Sequence, residues 1–361
     1  MSNRPIIVIE DDPFTRIAQI VLDPATSDER RTAFADFIAH DEPDFDGWCA
    51  RLRERVEGLY PAEIRMATST DDMRAQIADC RVLLVESLTV DRDTISAAGR
   101  LEIVQKYGTI LRNIDVAACA EMGVKVLRLR RRANISCAEH AFGLMLTLAR
   151  KLHLLNGLVS VERMTAAGLS YRPFDRRHTP NGNYARIPGL AMLNESTIGI
   201  IGLGEIGREI ALRASAFGMH VLYHQRTRVA EAEEDALNAR YVTLDDLLAH
   251  SDWIIPQAPT GAGTRNLIDR LELQRIKPGA RLVNVSNAQA VNREAVIEAL
   301  KSGRLAGFAL DTFYEEPARN DDELLSFDNV ILTGRMGGSP RFNALKDFEE
   351  LITGLAREVS T

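Results

Sequence analysis

The sequence predicts an α/β protein of two Rossmann-like domains, each built on a parallel sheet. Three observations carry this. Short apolar strand patterns alternate with helical patterns in two separate series, which implies parallel strands joined by helical crossovers. A long helical pattern, Ser136 to about Gly157, separates the two series. A Gly-x-Gly-x-x-Gly run stands where one strand pattern gives way to a helix. The chain has 361 residues, and at about 150 residues per domain that suggests two domains.

In the first series, Ile6–Glu10 reads as a buried strand closed by acidic residues and Pro13. Residues 29–39 and 48–59 read as exposed helices, broken apart by Asp41-Glu42-Pro43-Asp44. A helix at 71–79 leads to strands at 81–86 and 103–106, a helix at 115–122 and a strand at 124–127. After the long helix, Gly168–Gly189 is rich in turn formers and reads as a surface arm. The second series runs through strands at 197–203, 220–224, 253–255, 281–285, 307–310 and 330–332, with helices between them.

Composition narrows the function. Apolar residues make up 45% and charged residues 26%, an ordinary globular balance that excludes wholesale disorder. The net charge of −7 argues against nucleic acid as a partner. Cys49, Cys80, Cys119 and Cys137 lack zinc-ligand or redox-pair spacing, so no metal site is expected and free thiols are. The first residues run straight into a short strand rather than a signal-peptide core, and the longest apolar stretch, 141–149, is too short to span a bilayer. A cytoplasmic location is expected, with no membrane partner.

The segment Thr197-Ile-Gly-Ile-Ile-Gly202-Leu-Gly204-Glu-Ile-Gly207 follows a strand and opens a helix, the context that makes a glycine fingerprint informative. Gly202 allows the tight turn, Gly204 lets backbone approach a pyrophosphate, and Gly207 lets helix and strand pack closely. Glu205 and Ile206 begin the helix whose free N–H groups favour phosphate. The next strand ends at His224-Gln225-Arg226-Thr227-Arg228. NAD-binding domains commonly place a carboxylate at position 225 to bind the ribose hydroxyls. A neutral amide followed by arginines tolerates a 2′-phosphate, which favours NADP over NAD. The competing reading of these arginines is solvated surface charge.

The rest of the chain resembles the D-isomer-specific 2-hydroxyacid dehydrogenase family over roughly residues 80–345. The resemblance rests on Asn113-Ile-Asp115, Ala138-Glu-His140, the glycine loop, and Ala258-Pro259-Thr260 with Thr264-Arg-Asn-Leu-Ile268. It continues through Lys277-Pro-Gly-Ala280, Asn284, the block Ala299–Gly307, Ala309-Leu-Asp311 and Glu315-Glu316-Pro317. It implies a flavodoxin-like substrate domain from residues 1–130 plus 335–361. A nucleotide-binding domain would span 131–334, with an arm at 160–190 and the active site in the cleft between domains. It also implies that Pro259, Thr264, Val285, Asp311 and Gly338 line the cofactor site, that the substrate is a small carboxylate, and that the protein is a homodimer.

The resemblance also implies a catalytic Arg, Glu and His. Only the Glu is present, as Glu316. Asn287 stands at the Arg position and Arg335 at the His position. The substrate loop, expected as Gly-x-Gly, reads Tyr107-Gly108-Thr109-Ile110. Arg335 is expected to polarise a carbonyl or clamp a carboxylate but not to shuttle a proton, and Asn287 to donate to a developing oxyanion. Lys106, Tyr107 or water then stand as proton sources. Arg130, Arg131 and Arg132 read either as a solvated face or as an anion site. His140 reads as structural. The expected function is hydride transfer between a nicotinamide and a 2-keto or 2-hydroxy acid with an altered acid–base group. Nucleotide binding without dehydrogenase activity, as a sensor or complex partner, and lyase or isomerase chemistry in the same cleft stay open as alternatives.

Overall fold

The structure is a computed structural model and describes residues 4–259 and 261–359. The chain divides into two compact units, one running to Ser136 and resuming from Gly338, the other Cys137–Gly337. The divisions expected near residues 130 and 335 thus fall a few residues later. Thr260, part of one quoted motif, lies outside the described residues.

The first unit holds strands β1 (Ile6–Glu10), β2 (Glu63–Ala67), β3 (Val82–Val85), β4 (Ile103–Lys106) and β5 (Lys125–Arg128). They form one parallel sheet in the order β2-β1-β3-β4-β5, the doubly wound flavodoxin-like order. Each face is covered by its own apolar cluster. One joins Ile7, Ile9, Phe45, Leu52 and Tyr107 to Phe348, Leu351 and Ile352 of the helix Phe342–Val359. The other gathers Val8, Met73, Leu83, Val104 and Cys119. The helix Phe45–Glu54, expected as exposed, buries Phe45, Cys49 and Leu52. Strand β2 was not legible because Glu63-Ile-Arg-Met-Ala carries only two buried residues at a sheet edge.

The second unit holds β6 (Thr197–Ile201), β7 (His220–His224), β8 (Ala239–Tyr241), β9 (Trp253–Pro256), β10 (Ala280–Asn284), β11 (Leu305–Leu310) and β12 (Val330–Leu332). All are parallel, in the order β12-β11-β10-β9-β6-β7-β8. The order reverses between β6 and β9. At such a switch point the loops leaving the two strands diverge and leave a crevice. The long helical pattern is realised as Arg132–Arg150 and then Leu152–Leu155, interrupted where Lys151 takes φ 52°. The arm contains a short helix, Val161–Ala166, and is then irregular and mostly exposed through Gly189.

Among the described residues no helix is long and apolar enough to cross a membrane. None of their His, Cys, Asp and Glu groups is arranged to hold a metal ion. The four cysteines are free thiols.

The C-terminal helix is integral to the first unit. Phe348 is fully buried with its ring centroid 5.0 Å from that of Tyr107. Asp347, also fully buried, accepts the Arg132 backbone N–H at 2.9 Å and Nη1 at 2.8 Å. Phe348→Ala is expected to lower the stability of this unit by about 3–5 kcal/mol, read by urea denaturation; a loss within a few tenths would contradict this packing.

Candidate active site

The glycine loop leaves β6 at the switch point. Gly202 takes φ 104°, and a Cβ there would stand 2.6 Å from the Gln257 carbonyl oxygen at the end of β9. Only glycine fits this crossing of two backbones. At Gly207 a Cβ would lie 2.3 Å from the Gly202 carbonyl oxygen, so the helix Glu205–Ala216 presses directly on the turn. Gly204, by contrast, has no atom within 4 Å of where a Cβ would be. It caps the helix with no side-chain hydrogen bond. A glycine with an open face before an uncapped helix start is the arrangement a pyrophosphate requires. Ile206 packs into the core below, and Glu205 lies in the first turn.

After β7, Gln225 ties two loops together. Its Oε1 accepts the Leu203 N–H at 3.0 Å, and its Nε2 donates to the Thr227 carbonyl at 2.6 Å. Arg226 is exposed and makes no hydrogen bond or ion pair among the described residues. Arg228 is exposed but ion-paired: it binds Glu234 in bidentate fashion at 2.8 and 2.6 Å. Glu234 is buried and also accepts the Tyr223 hydroxyl at 2.5 Å. The Arg228 hydrogen bond holds the Glu234 carboxyl down at about 2. Neither Glu234 nor Tyr223 was picked out in the sequence; the acidic run Glu231-Ala-Glu-Glu-Asp235 was the available signal.

Across the sheet, Asp311 organises the segment carrying Arg335. The residue is 3% exposed. It accepts Thr333 Oγ1 at 2.6 Å and the backbone N–H groups of Met336 and Gly337 at 2.8 Å each. His140 Nε2 lies 3.1 Å away and also 3.0 Å from Thr333 Oγ1. Burial works against ionisation, but these donors outweigh it and hold the acid below its ordinary pKa. Asp311, expected to line the cofactor site, is thus enclosed by protein donors. Its backbone carbonyl accepts the Arg335 N–H at 2.7 Å. Arg335 takes φ 56°, and its Nε contacts both Glu316 oxygens at 2.8 and 2.7 Å. The Arg335 side chain is 65% exposed and that of Glu316 35%. The Arg335 hydrogen bond, with the Phe313 N–H, lowers the Glu316 pKa.

Asn287 follows β10. Its Oδ1 accepts the Gln289 N–H at 3.1 Å, which leaves Nδ2 as the donor it can offer. Val285 is buried in the core beside it. Thr264 closes its own turn, donating to the Pro259 carbonyl at 2.6 Å. Gly338 belongs to the other unit.

In the first unit Gly108 takes φ 152° and Thr109 is half-buried. Tyr107 requires a correction: its side chain is in the core against Phe348, with the Arg131 guanidinium 4.8 Å above the ring. Burial pushes its hydroxyl pKa up, so Tyr107 is neither a substrate contact through its side chain nor a proton source. Lys106 is buried at the end of β4, donating to the Glu86 carbonyl and to Asn113 Oδ1. Two of the three arginines in the run are ion-paired, Arg131 approaching Glu86 and Arg132 binding Asp347 and Glu350, while Arg130 is exposed.

The depressed Asp311 pKa has a defined sign. Its unfolded value is near 3.9, and the folded value is lower. The stabilisation is present above about pH 4 and disappears as pH falls through the folded value. Asp311→Asn is expected to lower neutral-pH stability by about 1.5–3 kcal/mol and to flatten the acid limb of a thermal-melt series. An unchanged acid limb would show that Asp311 is not the group responsible.

With this geometry in place, three comparisons bear on identity. Residues 142–337 match the family model described as D-isomer specific 2-hydroxyacid dehydrogenase, NAD binding domain. A glyoxylate reductase of Thermococcus gammatolerans is 34% identical over 302 residues, 83% of this chain and 86% of that protein. One from Pyrococcus furiosus is 36% identical over 73% of this chain and 74% of its own length. The apo crystal structure of Rhodotorula graminis D-mandelate dehydrogenase shares the fold, with a TM-score of 0.56 at 23% identity, covering 98% of this chain and 94% of that one. The chain therefore belongs to the D-isomer specific 2-hydroxyacid dehydrogenase family and is an oxidoreductase acting on CH–OH groups with a nicotinamide nucleotide as cofactor.

Proposed function

We propose that this chain reduces a small 2-keto acid, glyoxylate being the first candidate, with NADPH preferred over NADH. The pairing of an exposed Arg335 with Glu316 carries this reading, because it puts a fixed cation where the family places a histidine. The glyoxylate reductases named above support the substrate class. Gln225 and the exposed Arg226 support the nucleotide preference: position 225 carries a neutral amide rather than a carboxylate, and a guanidinium is available to bind a 2′-phosphate. We assign Gly202, Gly204, Glu205, Ile206 and Gly207 to the pyrophosphate through their backbone. The backbone of Gly108 and Thr109 is assigned to the substrate.

The nicotinamide supplies the hydride when bound. Arg335 binds the carboxylate or polarises the carbonyl through the N–H groups that Glu316 leaves accessible. It keeps its proton throughout, since a guanidinium does not deprotonate at working pH. The alkoxide's proton then comes from water, which reaches the exposed guanidinium. Asn287 donates through Nδ2 to the same developing oxygen. Glu316 keeps Arg335 in position rather than tuning a proton shuttle. The expected homodimer and cytoplasmic location belong to this proposal as well.

The test follows NADPH oxidation against a panel of 2-keto acids that includes glyoxylate and hydroxypyruvate. The unaltered protein is expected to turn over, and Arg335→Ala to lower kcat/KM roughly 10²–10³-fold. Silence in the unaltered protein with turnover in an Asn287→Arg/Arg335→His variant would overturn the reading, because the scaffold would then lack the chemistry until the family's groups were restored. A second expectation separates this site from the histidine-based one. The pH profile of kcat for the unaltered protein should lack a limb near pH 6.5, and Arg335→His with Asn287→Arg should introduce one.

A further inference from the structure

We infer that Glu234 sets how strongly this chain discriminates NADPH from NADH, by offsetting the charge of Arg228 and occupying one edge of its guanidinium, which weakens its hold on the adenosine 2′-phosphate. The inference deepens the nucleotide preference proposed above and rests on it. Two arginines, Arg226 and Arg228, follow β7 in the loop where a Rossmann domain reads the adenosine ribose. Their surroundings differ. Arg226 is exposed and makes no ion pair among the described residues. Arg228 applies both arms of its fork to Glu234, Nε to Oε1 at 2.8 Å and Nη2 to Oε2 at 2.6 Å.

The bidentate pair occupies one of the two planar donor edges of the guanidinium, the Nε–Nη2 edge. With Nε and Nη2 engaged, Arg228 can offer a 2′-phosphate only its Nη1 side, while the Glu234 carboxylate already offsets its charge. The carboxylate also adds a negative charge close to any phosphate that Arg228 approached. Both effects weaken recognition of the 2′-phosphate and leave NADH unaffected, since NADH lacks that group.

The latch is anchored from below. The Glu234 side chain is 8% exposed whereas that of Arg228 is 59% exposed. The Tyr223 hydroxyl donates to Glu234 at 2.5 Å and accepts the Val229 N–H at 3.2 Å, which fixes the end of the loop. The helix Glu231–Leu237 also pairs with a second arginine, Glu233 accepting through Oε1 from Arg208 of the helix that follows the glycine loop. An acidic helix thus neutralises two of the cations around this loop and leaves Arg226 as the open one. Glu234 stays ionised at any working pH, held at about 2 by Arg228, so the latch is a constant bias rather than a pH switch.

The experiment measures dissociation constants of NADPH and NADH on the full chain by nucleotide fluorescence, without turnover. Glu234→Gln keeps the Tyr223 contact, releases Arg228, and is expected to raise the preference for NADPH roughly fivefold, the scale of an exposed ion pair. Adding Arg228→Met should remove that gain. Arg228→Met alone is expected to leave the preference near its starting value. A Glu234→Gln protein that folds but shifts both affinities equally, or neither, would overturn the inference. So would a collapse of the preference in Arg228→Met, which also decides the matter should Glu234→Gln fail to fold. Arg226→Met tests the underlying reading separately. If the unaltered protein shows no preference and Arg226→Met changes nothing, the assignment of NADPH fails, whatever Glu234→Gln does.

Discussion

The candidate catalytic segment depends on a single buried carboxylate. Asp311 takes donors from Thr333, Met336 and Gly337, with His140 alongside, while its backbone carbonyl holds the Arg335 N–H. A buried charge is tolerable only when its acceptor capacity is filled. The cheapest way to fill it here is to wind the chain so that two successive amides point inward. That winding puts Arg335 in the left-handed region and directs its side chain to Glu316. The unusual residue at the site is therefore carried by an ordinary requirement, the hydrogen bonding of an ionised group that water cannot reach. Gly337 belongs to the same requirement, since a Cβ there would lie 3.0 Å from Asp311 Oδ2.

On the proposed reading, in which Arg335 stands where the family places a histidine, an arginine beside a glutamate changes the chemistry more than the charge. A histidine–glutamate pair can hold a proton or release it. An arginine–glutamate pair joins a guanidinium to a carboxylate whose pKa is lowered, so the carboxylate is held in its charged form. What remains is a rigid, planar set of donors with an exposed edge. Such a group binds and polarises well and leaves proton delivery to solvent. The proposed role of Asn287 fits the same reading, because a small amide that caps its own turn brings no charge to compete with Arg335.

Much of this was legible in the sequence, for physical reasons that vary by residue. The glycine loop could be read because Gly202 and Gly207 are forced by close backbone approach, a requirement independent of the rest of the fold. The strand β7 was read at its true limits because its apolar run is abruptly ended by polar residues. Edge strands β2 and β8 escaped because a strand with one neighbour need not be apolar throughout. Residue 107 was misread for a related reason. A position in a substrate loop says where the backbone runs, and only packing against Phe348 shows that the tyrosine ring turns inward. The Glu234 latch could not be read at all, since pairing Arg228 with one acid among several in the next helix is decided in three dimensions.

The division of the first unit has a consequence for biosynthesis. Its core unites Ile7 and Ile9 with Phe348, Leu351 and Ile352, whereas the second unit is one continuous stretch, Cys137–Gly337. A ribosome adding about 5–20 residues per second finishes that stretch while the earlier one still lacks part of its apolar surface. The glycine-loop unit is thus free to form first, and the amino-terminal strands wait, incompletely covered, until the last helix is made. The interval runs to roughly ten seconds or more at those rates. During it the exposed sheet face around Ile9 and Tyr107 is the surface on which chaperones, or other nascent copies, would compete with the helix still to come.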